Sequence, residues 1–307
     1  LFRSGKSPVK RPSLKGMQGA EGVQGIGDLP NFKTKLNFQK EYEAMNCEEN
    51  LEVNPIWGLS MANYDITKVY MFDKNIVGSG HYGVVRKATL NCDPNKVYAI
   101  KTINKKKLKG DTMLFKNELD LLRMTEHPNI IQFYEIYQDE QFFHIVMECC
   151  TGGDVTTLLE ESGGLSEERA KQIIFETLLA VNYLHKLGIC HRDIKPDNFL
   201  FKDKSPKSSV KVIDFGLSKR LPKGEKLKSL LGTPYYVAPE LIENKGYGFK
   251  ADIWAVGVML YLLFLAEFPF KGEKQHQIFE SIKSGKYNIV KLKKFTPEAV
   301  MFLTRCL

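Results

Sequence analysis

One short run, His191-Arg192-Asp193-Ile194-Lys195-Pro196-Asp197-Asn198, gathers a carboxylate, a cation and a carboxamide in a single loop. Phosphoryl transfer asks a protein for little covalent chemistry. It needs a carboxylate to orient the attacking hydroxyl, a positive charge beside the moving phosphate, and oxygen ligands for magnesium. Asp193, Lys195 and Asn198 supply one of each. Asp214, in Asp214-Phe215-Gly216, follows the strand-like Val210–Ile213 and offers magnesium a second oxygen ligand. Asp-Phe-Gly alone is a common turn, but in this order after the first loop it is not a chance one.

A glycine-rich run lies upstream: Gly78-Ser79-Gly80-His81-Tyr82-Gly83. Such a run could cradle a dinucleotide, but that use requires it to join a strand to a helix. Here Val84-Val85-Arg86-Lys87-Ala88 continues as a strand, so the turn is expected to be a flexible lid whose bare backbone N–H groups approach phosphates. On the following strand, Ala99-Ile100-Lys101 alternates so that Ala99 and Lys101 share a face. A shielded lysine needs a counter-charge, and Glu118 on the next helix is the best candidate. Lys105, Lys106 and Lys107, by contrast, read as solvated surface.

The elements that must position these groups can be traced by periodicity. Val69–Val77, Val84–Thr89, Val97–Ile103, Ile130–Tyr137 and Phe142–Glu148 read as strands. Leu114, Phe115, Leu119 and Leu122 recur at helical spacing. After Gly152-Gly153 the pattern turns helical. Ser166 is an expected N-cap, Glu167 and Glu168 favour the first turn, and Ala170, Ile173, Ile174, Leu178, Val181 and Leu184 form an apolar stripe that Gly188 stops. Short strands are expected over Asn198–Phe201 and Val210–Ile213. The apolar stretch Ile253–Ala266 is too short to span a bilayer and reads as a buried core helix. The expected architecture is α+β and bilobal: a small β-rich lobe with one helix over residues 70–150, joined by a cleft to a larger helical lobe over 151–307. Residues 1–69 form an N-terminal extension, disordered at least through residue 40, with Lys33–Asn54 weakly helical and Lys10-Arg11-Pro12-Ser13 a basic-directed phosphosite candidate.

The bulk numbers exclude little. The chain has 307 residues, 43% hydrophobic content and a net charge of +8. The charge suits a solvated lysine-rich surface, and no interleaved aromatic–basic groove motif argues for nucleic acid. The six cysteines form no CxxC pair and look like free thiols of a reducing cytoplasm.

These motifs together resemble the eukaryotic protein kinase family, from Tyr70 to Leu307. The resemblance implies transfer of the γ-phosphoryl of ATP to protein hydroxyls with Mg2+. Asp193 would be the catalytic base, Lys101 would pair with Glu118, and Asn198 and Asp214 would hold the metal. ATP would be bound by Val77, Gly78, Ser79, Gly80, His81, Tyr82, Gly83, Val85, Ala99, Lys101, Glu148, Cys150, Asp154 and Leu200. Met147 would be a bulky gatekeeper. Lys195 and Gly232-Thr233-Pro234-Tyr235-Tyr236 resemble serine/threonine rather than tyrosine kinases, Ala238-Pro239-Glu240 would close the activation segment, and Asp252-Ile253-Trp254 would open the helix that supports the catalytic loop.

In detail the chain is most similar to the calcium-dependent protein kinases of plants and protist parasites, within the calmodulin-kinase-like group. The cues are Gly80-His81-Tyr82-Gly83, Asn198-Phe199-Leu200, Asp214-Phe215-Gly216-Leu217-Ser218-Lys219 and Gly285-Lys286-Tyr287. That family implies control by Ca2+ through EF-hands C-terminal to the kinase. No EF-hand loop occurs in this sequence, and the last helices of the large lobe are expected beyond Leu307. A membrane anchor at a missing N-terminus would fit the same family. Ser229, among Lys219, Arg220, Lys223, Lys226 and Lys228 and with Arg192 nearby, could order the loop when phosphorylated. The alternative is a basic loop that orders without phosphate. Asp154 and Asp197 could favour a basic residue upstream of the target hydroxyl, or Asp154 could serve only the ribose of ATP.

Overall fold

A computed structural model of the chain describes residues 60–62, 65–79, 83–108, 110–222, 224–227, 229 and 232–307. The residues expected to be disordered, the Ser13 site, the possible helix over Lys33–Asn54, and Gly80, His81 and Tyr82 lie outside them. The chain divides into two compact units, Leu1–Asn104 with Tyr134–Val146, and Lys105–Phe133 with Met147–Leu307.

The first unit is built on a sheet of six strands: β1 (Ser60–Ala62), β2 (Tyr70–Ser79), β3 (Gly83–Leu90), β4 (Val97–Asn104), β5 (Phe133–Gln138) and β6 (Phe142–Glu148), in the order β1-β5-β6-β4-β3-β2. Strand β1 joins β5 in parallel, with Ser60 opposite Ile136. Strands β2 and β3 form the hairpin around the glycine-rich turn, with Gly78 opposite Val85 and Ser79 opposite Val84. Tyr70, Ala88, Leu90, Tyr98, Ile100, Tyr137 and Val146 form the core of this unit, packed partly through edge-to-face rings. The phenols of Tyr70 and Tyr137 both donate to Glu135, so the polar ends of those rings are satisfied.

In the second unit, helix α1 (Thr112–Met124) buries Phe115, Leu119 and Leu122. Leu114, expected on the same stripe, is 49% exposed, because a helical step of 100° carries it off the face centred on Phe115 and Leu119. Strand β5 begins at Phe133 rather than Ile130: Ile130 bridges Val212 and the Ile131 N–H donates to the Val212 carbonyl at 2.9 Å, which ties those two residues to the second unit instead.

Helix α2 (Val155–Ser162) is capped by Asp154, which the sequence had suggested only as a ligand contact. Helix α3 (Glu167–Lys186) starts at Ser166, whose hydroxyl accepts from the Arg169 N–H, and stops before Gly188 at φ 74°. After α4 (Pro239–Ile242), helix α5 (Lys250–Leu265) is buried on nearly all sides. Helix α6 (Gln275–Ser284) follows, and Gly257 makes the burial of α5 possible where α7 (Pro297–Cys306) crosses it, since an added Cβ would sit 2.7 Å from that of Cys306. No helix among the described residues is long and apolar enough to cross a membrane. The short strands β7 (Ile189–Cys190), β8 (Phe199–Phe201), β9 (Val210–Val212) and β10 (Lys219–Arg220) pair as β7–β10 and β8–β9. They bracket the loop 191–198, and Asn198 itself closes a 3-10 turn rather than opening the strand.

Candidate active site

In the second unit, the loop between β7 and β8 is held from below by Asp252, in the first turn of α5 and 1% exposed. Its Oδ2 accepts the His191 N–H at 3.0 Å and lies 2.7 Å from His185 Nε2. Its Oδ1 accepts the Arg192 N–H at 2.8 Å. Burial alone would push this carboxyl up; the hydrogen bond with His185, the neighbouring histidines and the Arg192 N–H outweigh it and hold Asp252 below the usual carboxylate value. Arg192 sits at φ 69°, in the left-handed region that disfavours a residue with a Cβ. The two backbone bonds to Asp252 hold it there.

That twist presents Asp193. Its Oδ2 meets Lys195 Nζ at 2.9 Å and Asn198 Nδ2 at 3.0 Å, and its Oδ1 lies 3.5 Å from the Thr233 hydroxyl. Lys195 Nζ also donates to Thr233 Oγ1 at 3.1 Å. Asn198 Nδ2 further bonds the Asp193 carbonyl at 2.7 Å, so its Oδ1 remains as the oxygen able to face a cation. The carboxylate is thus aimed by three side chains from two segments of the chain. His191 is buried against Phe215, ring centres 5.4 Å apart, and burial holds its imidazole below the ordinary value and neutral.

Asp214 Oδ1 accepts the Gly216 N–H at 2.8 Å, leaving its second oxygen for other use. A Cβ added to Gly216 would sit 3.1 Å from Asp214 Oδ1 and 3.8 Å from Glu118 Oε2. The Asp214 and Glu118 carboxylates thus both border the space beside Gly216. Among the described residues no group of three or more His, Cys, Asp or Glu could hold a metal by itself. One carboxylate and one amide oxygen fit magnesium, which is commonly held by one or two protein ligands plus substrate phosphates.

Glu148 pairs with Lys211 at 2.6 Å, and its N–H donates to the Gln132 carbonyl. Burial pushes the neighbouring Cys150 thiol up to about 12, so it stays protonated. Asp154 receives Thr157 N–H at 2.7 Å and Thr157 O–H at 2.9 Å, one on each oxygen, and bridges Leu200 through its backbone.

In the first unit, Val85 pairs with both Gly78 and Lys101, and Ala99 lies two residues from Lys101 on the same face of β4. The glycines of the turn differ in kind. At Gly83 a Cβ would collide with the Thr102 carbonyl at 1.9 Å, so the sheet demands glycine there. At Gly78 it would meet only Val85 at 3.7 Å, an ordinary contact. The fold leaves room above Gly78, as close approach of a phosphate to backbone N–H groups requires. Val77 is 49% exposed beside it.

The sequence shows Thr233 within a motif without its bond to Lys195, and Asp252 as the opening of the helix that supports the loop without its bonds to His191 and Arg192. It gave no sign of Lys211 or Tyr247. Both are single residues whose roles come from pairing across distant parts of the chain. Ser229 is exposed, and Lys223 and Lys228 of its expected basic surround lie outside the described residues.

Comparison with known proteins agrees with this geometry. The protein kinase domain family matches residues 71–307. Calcium-dependent protein kinase 5 of Plasmodium berghei (strain Anka) is 37% identical over 267 residues, covering 84% of this chain and 47% of its own length. Calcium-dependent protein kinase 14 of Arabidopsis thaliana is 38% identical over 254 residues, 82% of this chain and 47% of its own. Calcium/calmodulin-dependent protein kinase type 1 of Macrobrachium nipponense is 39% identical over 214 residues, 70% and 62%. The chain spans about half the length of the calcium-dependent relatives it matches. With the family's signature loops folded around one ringed carboxylate and its match running through residue 307, the chain belongs to the protein kinase family.

Proposed function

We propose that this chain is the catalytic domain of a serine/threonine protein kinase that transfers the γ-phosphoryl group of ATP to protein hydroxyls. The observation that carries this is the Asp193 carboxylate, fixed by Lys195, Asn198 and Thr233. Asp193 accepts the hydroxyl proton as the oxygen attacks phosphorus, and the bond to the leaving ADP oxygen breaks. Lys195 lies beside Asp193, where negative charge on the transferring group would develop. Asn198 Oδ1 and Asp214 would hold magnesium, which would supply neutralisation of the phosphate charge when bound. In the first unit, the glycine turn and Lys101 are the candidates for phosphate contact and Val85 and Ala99 for adenine; in the second unit, Leu200 and the backbone of Glu148 and Cys150 are the candidates for adenine. Asp154, already an N-cap, has lone pairs left for the ribose or for a basic residue upstream of the target.

The names of the calcium-dependent and calcium/calmodulin-dependent relatives support calcium regulation; the form we infer for it is an EF-hand segment in the same polypeptide, with calmodulin as the alternative carrier of the signal. The free thiols among the described residues suit a reducing cytoplasm, and membrane association fits the same kinase group. Asp193→Asn should lower turnover about 10²–10⁴-fold with ATP binding kept. Near-parent turnover in that variant would refute the assigned role. Calcium titration of the longer polypeptide, with and without added calmodulin, separates the two modes of control.

A further inference from the structure

Tyr247 lies between helices α4 and α5, only 3% exposed, and has no part in the chemistry described above. Its backbone pairs with Leu227 in both directions, each N–H···O at 2.9 Å. Its hydroxyl donates to the carbonyl of Ser229 at 3.0 Å and accepts from Arg192 Nη1 at 3.3 Å. The same guanidinium donates through Nε to the Leu217 carbonyl at 2.5 Å. Arg192 immediately precedes Asp193. Ser229 comes shortly before Gly232 and Thr233, and a Cβ at Gly232 would lie 3.1 Å from the Arg192 carbonyl. The segment that Tyr247 holds is therefore the one that delivers Thr233 to Lys195 and Asp193.

An arginine in this place, with a serine nearby, would suit a phosphate that draws a loop onto the guanidinium. Here a neutral phenol makes that connection: one oxygen accepts a hydrogen bond from the arginine and donates one to the serine's backbone carbonyl. Only the carbonyl of Ser229 takes part, so the serine side chain is not needed. Burial raises the Tyr247 phenol, so it keeps the proton it donates.

We propose that Tyr247 is a positioning residue for the transfer reaction, its hydroxyl linking Arg192 to the Ser229 backbone and ordering the activation segment without phosphorylation. The proposal rests on the kinase reading and adds what keeps that site assembled.

The test uses Tyr247→Phe, which keeps the ring and removes one oxygen, beside Ser229→Ala in otherwise unchanged protein. Losing one neutral hydrogen bond that favours the ordered segment should lower kcat/KM for a peptide substrate roughly 2- to 12-fold, with KM for ATP unchanged. Backbone amides over 225–229 should exchange faster with deuterium, and Ser229→Ala should match the parent in both measurements. Parent-like peptide kinetics and exchange in Tyr247→Phe would overturn the proposal. So would a loss in Ser229→Ala larger than that in Tyr247→Phe, since the side chain would then carry the effect. An inactive parent would refute the kinase reading instead, and the exchange measurement would still decide the fate of the link.

Discussion

Asp252→Asn separates the support of the catalytic loop from its chemistry. The carboxylate serves three donors: Oδ2 takes His191 N–H and lies by His185 Nε2, and Oδ1 takes Arg192 N–H. An asparagine oxygen can keep the two on one side, but its NH2 then faces the Arg192 N–H across a distance of 2.8 Å. One charge-assisted bond is lost and one buried donor is left unpaired, together worth about 2–4 kcal/mol. The left-handed Arg192 loses the contact that offsets its strain. For a domain of this size the loss should lower Tm by roughly 5–15 °C. Because Asp193 is the next residue, a shift approaching 1 Å should lower kcat about 10²-fold.

The same substitution has a pH signature. The folded state holds Asp252 below its ordinary pKa, so the unfolded chain binds the proton more readily. Its contribution is complete above the unfolded carboxyl value and is lost as pH falls through the folded one. The stability gap between parent and Asp252→Asn should be flat above roughly pH 5 and shrink below it. Denaturant melts across pH 3–7 and steady-state kinetics read all three effects. A variant with parent Tm, parent kcat and no change in pH slope would refute the reasoning.

Three further substitutions test other parts of the structure. Gly83→Ala should destabilise by about 3 kcal/mol or more, because its Cβ meets a backbone carbonyl. Gly78→Ala should leave stability within about 0.5 kcal/mol, while KM for ATP rises; equal stability losses in chemical denaturation would contradict the distinction. Lys211→Met strands Glu148 in a mostly buried site and should cost about 3–5 kcal/mol, most of it recovered in the double variant with Glu148→Gln. A double variant no more stable than the single one would show that the pair is not coupled.

Much of this molecule could be read directly from its residues. Period-two alternation marked β4, a nearly continuous apolar run marked β6, and period 3.6 marked α3 from its serine cap to the glycine beyond its end. The loop 191–198 and Asp214-Phe215-Gly216 were legible because the residue types that such a transfer needs fall in short contiguous motifs. Element edges were less legible. Leu114 matched the helical spacing yet points outward, and Ile130 matched the strand yet bridges Val212, because a residue's face and partner depend on what packs against it.

What the amino-acid order determined by itself was the inventory: strands, helices, a glycine turn, and a catalytic loop whose members are near neighbours. Tertiary structure alone decided how that loop is held. Asp252 beneath it, Thr233 beside Lys195, Lys211 against Glu148 and Tyr247 between Arg192 and Ser229 all join residues far apart in the chain. Local periodicity carries no information about such pairs, since their geometry exists only once the intervening segments have packed.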